Sequence, residues 1–231
     1  MSLLTNLSEF TNRWISKTKS ENDNRNYRYS MSSEGWREEY QQIIDWIPAK
    51  SKVIDLGCGD GSLLLHLKRK GVNGAGLEIS KSGVNSAEKK GIKAFKGRID
   101  KKLPYKNNEF DYSICNVTLQ MVMYPEVLLK EMKRISKKQI ITFPNFAFLP
   151  NRLDLLVNGR MPRVMIPGYH WYSTGHIHQL SIKDFTIFCE DNGIKIVDSN
   201  HIFPGSGLPL TGKTVKKFPN LFASMAIFLT S

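Results

Sequence analysis

The sequence predicts an α/β fold in which a mostly parallel sheet carries helices on both faces. Short apolar segments that suit strands alternate along the chain with amphipathic segments that suit helices, and this alternation is typical of βαβ units. The first of these strands runs into a turn with glycine at every second position, Gly57, Gly59 and Gly61, and a leucine-rich helix follows. A strand, a glycine turn and a helix in this order present backbone N–H groups to a ligand.

The composition fits a globular domain and limits the partners that we expect. The chain has 231 residues, which suits one α/β domain with additions, and 41% of them are hydrophobic, enough for an ordinary core. The formal net charge is +12. The basic residues are scattered as pairs and triplets rather than gathered in a tract, so we interpret this charge as a solvated surface and not as a nucleic-acid interface.

Cysteine content and hydropathy favour a cytoplasmic protein. The three cysteines, Cys58, Cys115 and Cys189, lack CxxC spacing, which argues against a disulfide framework and against a structural zinc site. The chain has no apolar run long enough for a membrane span, and its start lacks the pattern of a secretory signal. We therefore expect a cytoplasmic protein with no membrane association and no metal.

The chain is predicted to consist of a polar arm and one folded domain. Residues 1–33 are rich in Asn, Ser and Lys and offer little apolar surface for a core. The domain, residues 34–231, opens with a predicted helix over residues 34–46, because its large apolar residues recur at helical spacing and Pro48 ends it.

Strands and helices then alternate through the first part of the domain. The predicted strands are rich in apolar residues, and the first two helices after the glycine turn each end at a glycine. Predicted strands cover residues 52–56, 75–79, 93–95, 110–115 and 139–143. Predicted helices cover residues 62–69, 81–90 and 124–135. In sheets of this kind a ligand binds at the carboxyl ends of the strands.

The alternation breaks over residues 145–179, which we interpret as a lid-like insertion. This segment is aromatic and rich in proline and glycine, with one short helix predicted near residues 152–157. A long insertion at the carboxyl edge of a sheet is often a substrate-binding element. Beyond it, Ser181 predicts the N-cap of a helix that ends near residue 191. Strands over residues 194–198 and 223–229, separated by a loop over residues 201–220, are expected to close the domain.

Acidic residues accompany the glycine turn. Asp55 lies within the first predicted strand, and Glu78 ends the second, where a carboxylate can accept hydrogen bonds from both hydroxyls of a ribose. The spacing G-x-G-x-G differs from the dinucleotide pattern G-x-G-x-x-G, which disfavours a nicotinamide oxidoreductase. Asp60 would suit a ligand with a positive amino group, such as S-adenosylmethionine (SAM), or would cap the following helix.

These residues resemble a known superfamily and, within it, a known family. Residues 53–61 followed by Glu78 are similar to the first motif and the acidic loop of class I SAM-dependent methyltransferases. From about residue 40 to residue 198 the chain resembles the methionine-biosynthesis MetW family, most specifically in Phe143-Pro144-Asn145 and Gly159-Arg160-Met161-Pro162. The resemblance implies a Rossmann-like class I methyltransferase fold, with a seven-stranded, mostly parallel sheet, helices on both faces and a reversed final hairpin.

The same resemblance implies where SAM would bind. The expected cofactor-binding residues are Asp55, Gly57, Gly59, Gly61, Glu78, Ile79, Ile99, Asp100 and Asn116. Asp55 and the three glycines would line the methionine portion of SAM, Glu78 would hold the ribose, and Ile79 would pack on the adenine.

Two of these positions depart from the usual pattern or stay open. Arg98 stands where many methyltransferases have an acid, so Ile99 becomes the residue expected to pack on the adenine ring, with Asp100 as a substitute for the missing acid. Asn116, just past the fourth strand, would face the transferable methyl group, or would cap the strand end.

Two functions of different classes follow from the resemblance. The first, which we favour from the sequence, is a SAM-dependent methyltransferase that acts on a small-molecule methyl acceptor under the insertion. A hydroxyl or protonated amine acceptor needs a general base, and the candidates are Tyr172, His176 and His178. The pair of histidines lacks an evident third ligand, so we do not interpret it as a metal site.

The alternative is an accessory role without methyl transfer. The MetW resemblance implies a partnership with homoserine O-acyltransferase in methionine biosynthesis, in which SAM binding would act as feedback sensing. Nucleic-acid methylation is disfavoured, because the chain lacks the tetrapeptides typical of amino-methylating DNA enzymes.

Overall fold

A seven-stranded sheet forms the centre of the computed structural model, which describes residues 35–162, 175–203 and 213–231. The strands are β1 Lys52–Leu56, β2 Asn73–Glu78, β3 Lys93–Lys96, β4 Phe110–Asn116, β5 Ser136–Pro144, β6 Ile196–Ile202 and β7 Met225–Thr230. They lie in the order β3-β2-β1-β4-β5-β7-β6. Neighbours among β1 to β5 pair in parallel, whereas β7 runs antiparallel to β5 and β6. The predicted sheet with its reversed final hairpin is confirmed.

Helices cover both faces of this sheet. They are α1 Glu38–Trp46, α2 Ser62–Arg69, α3 Lys81–Lys89, α4 Pro125–Ile135, α5 Leu149–Asn158, α6 Ile182–Asp191 and α7 Pro219–Phe222, with a 3₁₀ turn at Leu119–Met121. One hydrophobic cluster unites α4 and α6 with one face, and a second unites α1, α2 and α3 with the other. Successive strand residues point to opposite faces, and accordingly Val53 and Ile54 belong to different clusters. Among the residues described, no helix is long and apolar enough to cross a membrane.

Local signals account for most of the element boundaries. Ser181 caps α6 as predicted: its hydroxyl accepts the Asp184 N–H at 3.2 Å, and the Asp184 carboxylate accepts the Ser181 N–H at 2.8 Å. The two hydrogen bonds form a capping box. Helix α5 begins earlier than predicted, at Leu149, because Pro150 is tolerated in the first turn of a helix.

The predicted loop over residues 201–220 is wrong at its start. Strand β6 continues to Ile202, because its backbone pairs in register with β7 up to the Ile202–Met225 pair. Pairing with a distant strand determines this boundary, so local composition could not reveal it.

Two glycines in β2 let α2 and the glycine turn pack closely on the sheet. A Cβ atom at Gly76 would overlap the side chain of Cys58, with only 2.8 Å to the Cys58 Cβ. A Cβ atom at Gly74 would approach only the Leu64 Cδ2 methyl, at 2.8 Å. Cys58 is held by its own backbone, whereas the end of the leucine side chain can rotate away.

We expect Gly76→Ala to lower the free energy of unfolding by about 1–3 kcal/mol, because overpacking forces a shift of the turn that carries Cys58. Gly74→Ala should cost clearly less, since only a methyl group has to move. Urea unfolding followed by circular dichroism measures both. Equal losses in the two variants would contradict this account of the packing.

Candidate functional site

The glycine turn after β1 adopts a backbone that only glycine takes without strain. Gly57, Gly59 and Gly61 have φ angles of 88°, 55° and 75°, all in the left-handed region. Space is restricted as well, because a Cβ atom at Gly57 would lie 2.6 Å from the Thr118 Cγ2 methyl group. The turn therefore brings bare backbone to the carboxyl ends of β1 and β4, where the sequence predicted a ligand.

Glu78 holds the turn from the end of β2. Its Oε2 accepts the Gly59 N–H at 2.9 Å, and its Oε1 accepts the Ser80 N–H at 2.8 Å. The carboxylate is buried at 6% exposure, and these two bonds fix its orientation. A carboxylate has about four acceptor positions in all. Glu78 therefore fits the predicted role of accepting hydrogen bonds from the two hydroxyls of a ribose.

Asp55 lies buried beneath the turn, at 2% exposure. Its Oδ1 has no hydrogen-bond partner among the described residues. Burial raises the pKa of this carboxyl to about 7, and the nearby Glu78 charge adds to the increase. A buried carboxyl oxygen without a partner fits a ligand that brings a hydrogen-bond donor or a positive charge, as the amino group of SAM would.

Asp60, in the same turn, is used within the protein. Its carboxylate accepts the Ser62 N–H at 3.1 Å and the Ser62 hydroxyl at 2.9 Å, and it forms an ion pair with Lys90. Burial alone would raise its pKa, but the bonds from Lys90 and Ser62 outweigh this and lower it. Asp60 thus stabilises the start of α2 and ties it to the end of α3, which favours the second of the two roles considered from the sequence.

The side of the site where the adenine is predicted to bind contains an ion pair that the sequence did not predict. Arg98 donates to Asp100 through two nitrogens, Nε to Oδ1 at 3.0 Å and Nη2 to Oδ2 at 2.8 Å, and the Met123 N–H adds a bond at 3.1 Å. Ile99 lies in the hydrophobic core, whereas Ile79 leaves 37% of its surface exposed. The predicted adenine contacts of Ile79, Ile99 and Asp100 stay predictions, with Ile79 the most accessible of the three.

Asn116 takes part in a hydrogen-bond network at the end of β4. The Val117 N–H donates to the Thr142 carbonyl and hydroxyl oxygens at 3.1 and 2.9 Å. The Thr142 hydroxyl therefore gives its own proton to Asn116 Oδ1, at 2.6 Å. This fixes the amide, and Asn116 Nδ2 donates to Glu39 Oε1 at 3.2 Å. The predicted contact of Asn116 with the transferable methyl group stays a prediction.

Gln120 brings the two candidate histidines to this strand end. Its backbone carbonyl accepts the N–H groups of Ile177 and His178 at 2.9 and 3.1 Å. Its side-chain Nε2 lies 3.4 Å from His176 Nε2. The same Nε2 donates to the Val117 carbonyl at 3.0 Å. Gln120 Oε1 and His178 Nε2 are buried without hydrogen-bond partners in the described parts of the chain. Tyr172, the third candidate base, lies outside the described residues.

Two residues of the site escaped prediction from the sequence. Glu39 reaches the site from α1. The only related signal in the sequence was the helical spacing of the large apolar residues of this helix, Tyr40 among them, which predicts that the helix packs on the domain. Gln120 belongs to a short 3₁₀ turn that carries no periodicity. In the described ranges, no three His, Cys, Asp or Glu side chains are grouped so as to bind a metal ion.

The sheet order, the antiparallel β7 and the glycine turn above Glu78 define the class I SAM-dependent methyltransferase fold. A SAM-dependent methyltransferase of Thermotoga maritima, described as a possible histamine N-methyltransferase, superposes with a TM-score of 0.63 at 18% identity, over 97% of this chain and 96% of that one. A putative methyltransferase of Haloferax volcanii, solved with its Trm112 activator, gives a TM-score of 0.61 at 16% identity, over 84% and 88%. At these identities the likeness shows the fold alone.

Within this class, residues 37–230 match the family described as "Methionine biosynthesis protein MetW", and the chain belongs to that family. The bifunctional methionine biosynthesis protein MetXA/MetW of Rhodopirellula baltica is 35% identical over 157 residues, 62% of this chain and 25% of that protein. An uncharacterized protein of Methanocaldococcus jannaschii is 30% identical over 45% of this chain and 47% of its own length. The chain thus matches less than half of either relative.

A third relative has the name of an enzyme. The demethylmenaquinone methyltransferase of Bacillus licheniformis is 26% identical over 190 residues, which are 74% of this chain and 81% of that protein.

The buried carboxyl of Asp55 gives a testable pH dependence of stability. Its pKa is about 7 in the folded protein against 3.8 for the ordinary side chain. Between these pH values the folded state keeps a proton that the unfolded state releases. The free energy of unfolding therefore falls as the pH rises from about 4 to 7.

We expect Asp55→Asn to remove that loss and to stabilise the ligand-free protein at pH 8 by on the order of 4 kcal/mol, with little change at pH 4. The measurement is the free energy of urea unfolding across this pH range. Asp191→Asn, at an exposed position of α6, is the control and should keep the wild-type slope. An unchanged slope in Asp55→Asn would show that this carboxyl is already ionised when buried.

Proposed function

We propose that this MetW-family protein binds SAM at the glycine turn and supports a homoserine O-acyltransferase partner in methionine biosynthesis. The observation that carries the partnership is the Rhodopirellula baltica relative, whose name joins MetXA and MetW in one bifunctional methionine biosynthesis protein. Two activities fused in one chain in one organism often act as associated proteins in another. This accessory role, the alternative in the sequence analysis, now has more support than independent methyl transfer.

The proposed SAM site is supported by three features of the described residues. The three glycines of the turn let the backbone approach a ligand closely, Asp55 offers a buried oxygen without a partner, and Glu78 offers an oriented carboxylate. The methionine portion would lie along the turn with its amino group towards Asp55, and the ribose would lie against Glu78. SAM supplies a sulfonium-bound methyl group, the reactive centre of methyl transfer.

SAM binding gives the accessory role a means of regulation. SAM is made from methionine, so its concentration reports the output of the pathway. A protein that binds SAM and touches an acyltransferase can change that enzyme's activity when the end product accumulates. The differential affinity of SAM for the two states of the complex sets the size of this effect.

Calorimetry should show binding of SAM with a micromolar dissociation constant. In Glu78→Gln an amide replaces the carboxylate that accepts the Gly59 and Ser80 N–H groups, and one of these bonds is lost because an NH₂ group cannot accept. We expect SAM affinity to fall at least tenfold. Glu88→Gln, at an exposed position of α3, should bind like the wild type. Failure of the wild-type protein to bind SAM would overturn the proposed site.

Co-purification from the native host separates the accessory role from independent catalysis. We expect a stoichiometric homoserine O-acyltransferase, whose rate rises with this protein and responds to SAM, and no transfer of labelled methyl to the metabolite pool. A protein that purifies alone and methylates a small molecule would instead establish the second candidate. The Bacillus licheniformis relative and the two histidines at the end of β4 favour that candidate.

A further inference from the structure

The segment that leads into α1 passes over the start of α2, next to the glycine turn. A Cβ atom at Gly35 would lie 3.8 Å from the Ser62 Oγ. The ring of Trp36 meets the ring of His66 edge to face, with centroids 5.1 Å apart, and Tyr40 lies 6.0 Å from the same ring. These contacts fix the first turn of α1 above α2, at the edge of the sheet where the proposed cofactor binds.

Glu39, in the first turn of α1, reaches the side of the glycine turn that faces the end of β4. Its side chain is only 4% exposed, and its Oε1 accepts the Asn116 amide at 3.2 Å. Asp55 pairs in register with Ile114 of β4, and Gly57 lies against Thr118. Asn116 therefore lies beside the turn, and the Glu39 carboxylate comes to the strand ends of β1 and β4.

Tyr40 lies within reach of both Glu39 and Asp55. The buried Oδ1 of Asp55 has no hydrogen-bond partner among the described residues. Burial raises the pKa of the Tyr40 phenol, Arg37 opposes the increase, and the charges of Glu39 and Asp55 add to it. Both carboxylates therefore lie within electrostatic range of one phenol, on the side of the site where the methionine portion of SAM would lie.

The pairing of Glu39 with Arg37 leaves its charge available to a ligand. Arg37 Nε lies 2.7 Å from Glu39 Oε1, but the arginine side chain is 46% exposed. Water screens an exposed charge much more strongly than a buried one, so the attraction of Glu39 for a cation inside the site is weakened only in part.

We propose that Glu39 is a specificity residue that makes the site prefer SAM, with its positive sulfonium, over the demethylated product S-adenosylhomocysteine, whose sulfur is neutral. The proposal rests on SAM binding at the glycine turn. The two ligands share the adenosine and the amino acid and differ in the methyl group and the positive charge at the sulfur, so a carboxylate near the sulfur favours SAM. A sensor with this preference responds to the methyl donor and not to its spent form.

Glu39→Gln tests the proposal, because glutamine keeps the length and an acceptor for the Asn116 amide but removes the charge. Calorimetry on the full chain gives the dissociation constants of both ligands. We expect SAM affinity to fall about tenfold and S-adenosylhomocysteine affinity to change less than about threefold. Glu39→Asp, which keeps the charge, should retain most of the preference. Glu38→Gln, at the exposed position next to it, should bind both ligands like the wild type.

Arg37→Gln supplies a second test that does not alter a buried residue. Removal of the competing cation should raise the preference for SAM about two- to threefold. Equal losses for both ligands in Glu39→Gln, or an unchanged ratio in both variants, would overturn the proposal while leaving the proposed function in place. Wild-type protein that binds neither ligand would overturn both.

Discussion

The carboxylate of Glu78 joins three separate parts of the chain at one point. It ends β2, accepts a hydrogen bond from the glycine turn after β1 and accepts another from Ser80 at the start of α3. Gly83 allows this approach, since a Cβ atom there would lie 2.9 Å from both the Glu78 Cγ and the Gly59 carbonyl oxygen. Without the carboxylate, the Gly59 N–H would lose its acceptor. The shape of the turn therefore depends on an acid that belongs to the neighbouring strand.

A second network holds the other side of the site. Val117 is a β-branched residue with a φ of 49°, a conformation that costs on the order of 1–3 kcal/mol. Two hydrogen bonds hold it in this conformation: the Val117 N–H donates to Thr142, and the Val117 carbonyl accepts from Gln120 Nε2. Asn116 continues the network to Glu39, so α1, β4, β5 and residues 176–178 meet at one strand end. Movement of α1 or of residues 176–178 would reach the site through these bonds.

Asp55 and Asp60 have the same side chain but very different surroundings. The Asp60 carboxylate pairs with Lys90 and accepts hydrogen bonds from Ser62, whereas the buried Oδ1 of Asp55 has no hydrogen-bond partner among the described residues and the Asp55 pKa rises to about 7. Asp55 thus lowers the stability of the ligand-free protein at neutral pH. A residue that costs stability at a strand end is characteristic of a binding site, where a ligand supplies the missing interaction.

The sequence by itself determined the alternation of strands and helices, the glycine turn and the carboxylate at the end of β2. Each of these rests on local signals: apolar runs, closely spaced glycines and an acid at the end of a predicted strand. The seven-stranded sheet with its reversed final hairpin was expected only from the resemblance to class I SAM-dependent methyltransferases. The N-cap at Ser181 could also be predicted, because both partners of its capping box lie within four residues.

The tertiary structure alone decided the roles of Glu39, Gln120, Asp60 and Arg98. The Glu39–Asn116 bond spans 77 residues and the Asp60–Lys90 pair spans 30, and no local pattern encodes a contact at such separations. In the sequence, Arg98 was notable only because it replaces an acid found in many methyltransferases. In the fold it orients Asp100, two residues away. Whether a charged side chain serves a ligand or the protein depends on which neighbours the packing brings within hydrogen-bonding distance, and only the assembled sheet and helices fix those neighbours.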